Sequence, residues 1–73
     1  MKSFDRRLKS GTLLRYTFLY SNITELGLLL NVTNDHNFGA ILIVLTNNEI
    51  MKIPLLHINY EIIGRNKWVQ NKL

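Results

Sequence analysis

The side chains in this sequence that could do chemistry are His36, His57, five carboxylates (Asp5, Glu25, Asp35, Glu49 and Glu61) and a set of Lys and Arg residues gathered towards the two ends. General acid–base catalysis needs a nucleophile beside a base, or paired carboxylates whose surroundings drive their pKa values apart. The carboxylates here stand singly along the chain, and the sequence holds no glycine-rich run of the kind that cradles phosphate. His57, between Leu56 and Ile58, reads as a half-buried, hydrogen-bonded structural residue, and His36, inside a polar cluster, reads as solvated. There is no cysteine, which excludes disulfides and thiolate zinc sites. Two imidazoles alone fall short of the four ligands that structural zinc takes. The expectation is a protein with no catalytic residue, no cofactor and no metal.

The basic residues are unevenly placed. Lys2, Arg6, Arg7, Lys9 and Arg15 against Asp5 give residues 1–16 a formal charge of +4, while Lys52 against Glu25, Asp35 and Glu49 gives residues 17–60 a charge of −2. Arg65, Lys67 and Lys72 against Glu61 return +2 to residues 61–73. Basic ends around a weakly acidic middle allow three readings of the arm with Arg6 and Arg7: a solvated terminus, docking on an acidic protein surface, or contact with phosphate. A lone Trp68 in a polar stretch is costly to leave in water, and aromatic anchors dominate interfaces; folding back to cap the domain is the other way to cover it. The candidate partner-binding residues are Phe4, Arg6, Arg7 and Lys9 at one end and Arg65, Lys67 and Trp68 at the other.

The elements that would position these ends are short strands. Thr12 to Ser21 alternates, with Leu14, Tyr16 and Phe18 on one face and Leu13, Arg15, Thr17 and Leu19 on the other. Thr24 to Val32 is a second run, and Gly27 in its interior marks a bulge, a bend or a close crossing. Asn34-Asp35-His36-Asn37, with Gly39 behind it, is a loop. Ala40 to Thr46 is almost wholly apolar and reads as the most buried strand; Asn47-Asn48 turns it into Glu49 to Ile53 as a two-residue hairpin. Pro54 ends that strand, Leu55-Leu56-His57 makes one tight turn, and Ile58 to Ile63 closes the set. Phe4 and Leu8, spaced i, i+4, allow the first ten residues a short amphipathic turn or an extended arm.

Five short strands of this hydrophobicity, left flat, would expose one apolar face and two edges, and curling into a small barrel removes both problems. The order of the parts, from Gly11-Thr12-Leu13-Leu14-Arg15-Tyr16 through Leu26-Gly27-Leu28-Leu29-Leu30 and Ala40-Ile41-Leu42-Ile43-Val44-Leu45 to Ile58-Asn59-Tyr60-Glu61-Ile62-Ile63, resembles the small Src-homology-3-like barrels. Those are the barrels of Tudor and KOW domains and of many short bacteriophage proteins. The resemblance covers about Gly11 to Ile63 and implies an all-β, five-stranded, strongly bent barrel, with a basic N-terminal arm (1–10) and a basic C-terminal extension (64–73). Such barrels host many functions. An aromatic-lined proline-peptide groove and a methyl-lysine cage find little support, since the aromatics are only Tyr16, Phe18, Tyr20, Phe38 and Tyr60 and alternation places several inside. A basic nucleic-acid face finds little either, since residues 11–63 hold only Arg15 and Lys52 against four acidic residues.

A domain of this size buries only about 60% of the surface its unfolded chain exposes, and with no staples it gains most from contact with other chains. The expected function is a non-enzymatic interaction or assembly protein, such as a small phage virion subunit, docking on other protein chains as a homo- or hetero-oligomer. The alternative is a nucleic-acid-binding or host-modulating module using the basic ends. No secretory signal pattern and no apolar run of about 20 residues stands in the sequence, so the expected location is the cytoplasm when made, and then a virion. Without secretion, the acceptor patterns Asn22-Ile23-Thr24 and Asn31-Val32-Thr33 read as chance matches.

Overall fold

The computed structural model describes residues 5–65. Five antiparallel strands, β1 (Thr12–Phe18), β2 (Thr24–Asp35), β3 (Gly39–Thr46), β4 (Glu49–Pro54) and β5 (Ile58–Arg65), form one sheet in the order β4-β3-β2-β1-β5. A single 3-10 turn, Leu55–His57, joins β4 to β5. There is no α-helix among the described residues. Ile53 of β4 and Ile58 of β5, on the two edge strands, belong to the same core cluster as Leu14, Tyr16, Leu29, Leu42 and Val44. A sheet whose two edges share one interior must be strongly bent, so the architecture is compatible with a small β-barrel.

Local chemistry explains most boundaries. Asn47 and Asn48 both take left-handed backbone angles (φ 51° and 63°), as the tight two-residue turn between β3 and β4 requires. The first strand stops at Phe18, sooner than expected, because the Phe18 carbonyl accepts from the amides of Ser21 and Asn22 and closes a turn there. The second runs on to Asp35, three residues past Val32, because the Asp35 carboxylate accepts from the amides of Asn37 and Phe38 and holds a shorter loop than the sequence suggested.

Gly27 does not bulge. It lies opposite Leu14, and a Cβ there would collide with the Val44 Cγ1 and press on the Tyr16 ring. The bulge falls three residues later, at Leu30, where the pairing with β3 slips between Leu29 and Asn31. That slip exchanges the faces, so that Val32 rather than Asn31 packs against the core.

Residues 5–10 are neither helix nor extended strand. The Asp5 carbonyl accepts from the Leu8 amide, and Leu8, only 2% exposed, enters the core. Tyr60 donates its hydroxyl to Asp5 Oδ2 at 2.7 Å, and Thr12 donates to the Arg7 carbonyl at 2.9 Å. These bonds fasten the segment to β5 and β1. Arg7, hydrogen-bonded and ion-paired to Asp5, with help from Tyr60, holds the Asp5 carboxyl well below the usual carboxylate range. Partial burial, with the Asp5 carboxylate alongside, pushes the Tyr60 phenol up to about 12.

The β3 strand is buried on one side only. Leu42, Val44 and Thr46 are inside, whereas Ile41 and Ile43 are half-buried on the other face and Leu45 is exposed. Among the described residues, bending therefore covers one apolar face, while no strand pairs with either edge and the second apolar face keeps exposed leucine and isoleucine, contrary to the expectation that closure would remove both.

Gly27→Ala should destabilise the fold by about 1–3 kcal/mol through overpacking. In the Gly27→Ala/Val44→Ala pair the loss should be smaller than the sum of the single losses, as read by urea denaturation. For the clasp, the depressed Asp5 pKa supplies stability that is complete above its ordinary value of 3.8 and lost as pH falls through the folded value. The raised Tyr60 pKa supplies stability that is complete below 10 and lost between pH 10 and about 12. Tyr60→Phe should flatten the alkaline limb of the stability–pH profile, and Asp5→Asn the acid limb, with unfolding midpoints measured across pH.

Candidate functional site

The carboxylates are mostly committed to holding the fold. Asp5 serves the clasp; Glu25 accepts from the Tyr16 hydroxyl at 3.1 Å; Asp35 ties the β2–β3 turn; Glu61 pairs with Arg15 at 2.7 Å across β1 and β5. Burial, then the Glu25 bond, raises the Tyr16 pKa. Among the described residues no three of the His, Asp and Glu side chains come together as metal ligands would. His36 is exposed in the turn. His57 is half-buried, its backbone carbonyl accepts from the Leu19 amide, and its ring meets two other rings.

Of the residues expected to bind a partner, Arg6 and Lys9 are exposed. Arg7 makes a bidentate bond to Asp5, and its backbone amide also donates to that carboxylate. Arg65 ends β5, pairs with Thr12 in register and donates to the Ser10 carbonyl at 3.4 Å. Phe4, Lys67 and Trp68 lie outside the described residues. Arg7 and Arg65 thus lie at the same margin of the sheet, where residues 5–11 lead into β1.

The surface that reasoning from the sequence missed is the outer face of the sheet. Residues paired in register share a face, and Leu13, Leu28, Leu45 and Ile50 stand opposite one another across β1, β2, β3 and β4. Beside this row, Leu26 is 64% exposed and Ile50 66%, values far from those of a core position. The face continues along β3 through Ile43 and Ile41, where Thr33, Phe38, Lys52 and Pro54 complete a shallow groove of about 330 Å³. Its charged members are Lys52 and Asp35.

At the Phe38 end the groove meets an aromatic row. Phe38 stands edge-on to His57 at 5.8 Å, His57 tilts against Tyr20 at 5.7 Å, and Tyr20 stacks on Phe18 at 6.2 Å. Three separate segments supply it: the end of β1, the β2–β3 turn and the 3-10 turn. Tyr20 is 70% exposed. A half-wetted row of rings of this kind offers large contact area at little entropic cost. The alternation in β1 placed Phe18 inside; the signal for the row was that Phe18 and Tyr20 share parity and run past the strand end.

Neither a protein-family model nor a curated protein matches this chain, and no solved structure does.

Proposed function

We propose that this chain is a small Src-homology-3-like barrel that works without catalysis, as a docking module that holds another protein chain against the outer face of its sheet. The strand order, with one 3-10 turn between β4 and β5, supports the barrel reading. The observation that carries the docking reading is the aliphatic row Leu13–Leu28–Leu45–Ile50, with Leu26 beside it, on a face that no described element covers. Contiguous exposed apolar patches mark interaction sites in soluble proteins, and isolated exposed leucines do not. The partner this face fits is a protein with an apolar surface, since among the described residues the groove is lined by one cation, Lys52, and one carboxylate, Asp35. Exposed Arg6 and Lys9 add attraction for an acidic rim on that partner.

A photo-crosslinking amino acid at Ile50 or Leu26, with His36 as the control position, tests this in the cells that make the protein. The expected result is a discrete, protease-sensitive adduct from the first two positions and none from the third. Leu26→Lys should abolish the Ile50 adduct while changing stability by no more than about 0.5 kcal/mol, as substitutions at exposed positions do. A nuclease-sensitive adduct would move the reading to nucleic acid, and equal labelling from all three positions would remove it.

A further inference from the structure

We propose that the outer edge of β5 is a self-pairing edge, through which two copies of this chain join their sheets antiparallel about Tyr60. This goes beyond the docking face and uses different atoms. The directions of the backbone groups follow from two bonds beyond the strand ends. Leu19 donates to the His57 carbonyl and Phe18 to the Ile23 carbonyl. In an antiparallel ladder bonded pairs recur at every second residue. Residues 15 and 17 of β1 therefore bond to residues 61 and 59 of β5, and the amides and carbonyls of Tyr60 and Ile62 point away from β1. No described strand lies on that side. The Ile58 amide turns inward to the Leu55 carbonyl, which leaves its own carbonyl as an acceptor on the edge.

The other edge is different. On β4 the same alternation points the groups of Ile50, Lys52 and Pro54 outward. Pro54 has no N–H and Lys52 carries a charge, two devices by which proteins discourage strand addition. None of the β5 residues whose groups point outward, Ile58, Tyr60 and Ile62, is a proline or carries a charge; the charges of the strand are Glu61, paired with Arg15, and Arg65 at its end. The edge of β4 is guarded in a way that the edge of β5 is not.

Self-complementarity selects a second copy as the occupant and fixes the register. With Tyr60 opposite Tyr60 of the second copy, each Tyr60 amide meets the other's carbonyl and each Ile62 amide meets the carbonyl of the other copy's Ile58. That makes four backbone bonds and asks nothing of the committed Ile58 amide. On the outer face Asn59 then stands opposite Glu61 of the second copy. Glu61 already gives its Oε1 to Arg15 and keeps Oε2 for the Asn59 amide group. Sliding the pairing by one residue in each copy would set the two Glu61 side chains directly opposite, which is destabilising.

The test uses the full chain. Sedimentation equilibrium over a concentration series should show a monomer–dimer equilibrium, and amide hydrogen exchange by NMR should slow at Tyr60 and Ile62 as the dimer fills. Asn59→Glu, on the exposed face, places like charges opposite twice per dimer and should weaken association by about 5- to 10-fold. Asn59→Lys should tighten it, and both variants should melt as the parent monomer does. Three results would overturn the proposal: a monomer at every accessible concentration, slowing at Ile50 and Lys52 in place of Tyr60 and Ile62, or equal effects of Asn59→Glu and Asn59→Lys. Leu26→Lys, which disables the docking face, should leave the dimer unchanged, so the two readings fail separately.

Discussion

Val44 can lie against the Tyr16 ring only because position 27, between them, has no side chain. That one approach brings β3 and β1 to bear on the same interior across β2, and the bend of the sheet depends on it. Once the sheet bends there, Ile53 and Ile58 from the edge strands reach the same cluster, and Leu8 enters from outside the sheet. The core is small, with eight buried hydrophobic residues among those described, so each contact carries a large share of the stability. The buried Thr12 and Thr46 hydroxyls find carbonyl partners on Arg7 and Leu26, and no buried side-chain polar atom among the described residues lacks a partner.

What was legible in the sequence was what local chemistry decides. The Asn47-Asn48 turn needs left-handed angles that asparagine tolerates, Pro54 cannot continue a ladder, and the alternation of Leu14, Tyr16 and Phe18 states which face of β1 turns inward. What was not legible depended on contacts between distant residues. The bulge at Leu30 leaves no mark, because Leu28, Leu29 and Leu30 are alike and any of them could have been the extra residue. The burial of Leu8 follows from the Asp5–Tyr60 bond, 55 residues apart in the chain. The basic first ten residues read as one arm, yet within them Asp5 and Arg7 fasten to Tyr60 and Thr12 and Leu8 fills the core.

The apolar run of β3 gave the misleading signal with the clearest cause. A strand rich in isoleucine, leucine and valine says that both of its faces are apolar, as in the most buried strand of a sheet. Covering both faces takes a second layer, which the single bent sheet of the described residues does not supply. Leu42 and Val44 therefore go inside while Leu45, beside Leu28 and Ile50, stays at the surface. The exposed face follows from putting a two-sided strand into a one-layer fold.

The same economy of layers bears on what this protein can do. A catalytic site needs polar groups free to move protons and a recess that keeps water out. Here four of the five carboxylates are committed to the clasp, a tyrosine, a turn and a cross-strand arginine. The groove is open, and its floor is made by Ile41 and Ile43. Polar chemistry goes to holding the sheet together, and apolar surface is left outside it. On the proposed docking reading, such a face gains by lying against an apolar surface of another protein, because its burial leaves few new polar groups to satisfy, and only the surplus over the cost of association appears as affinity.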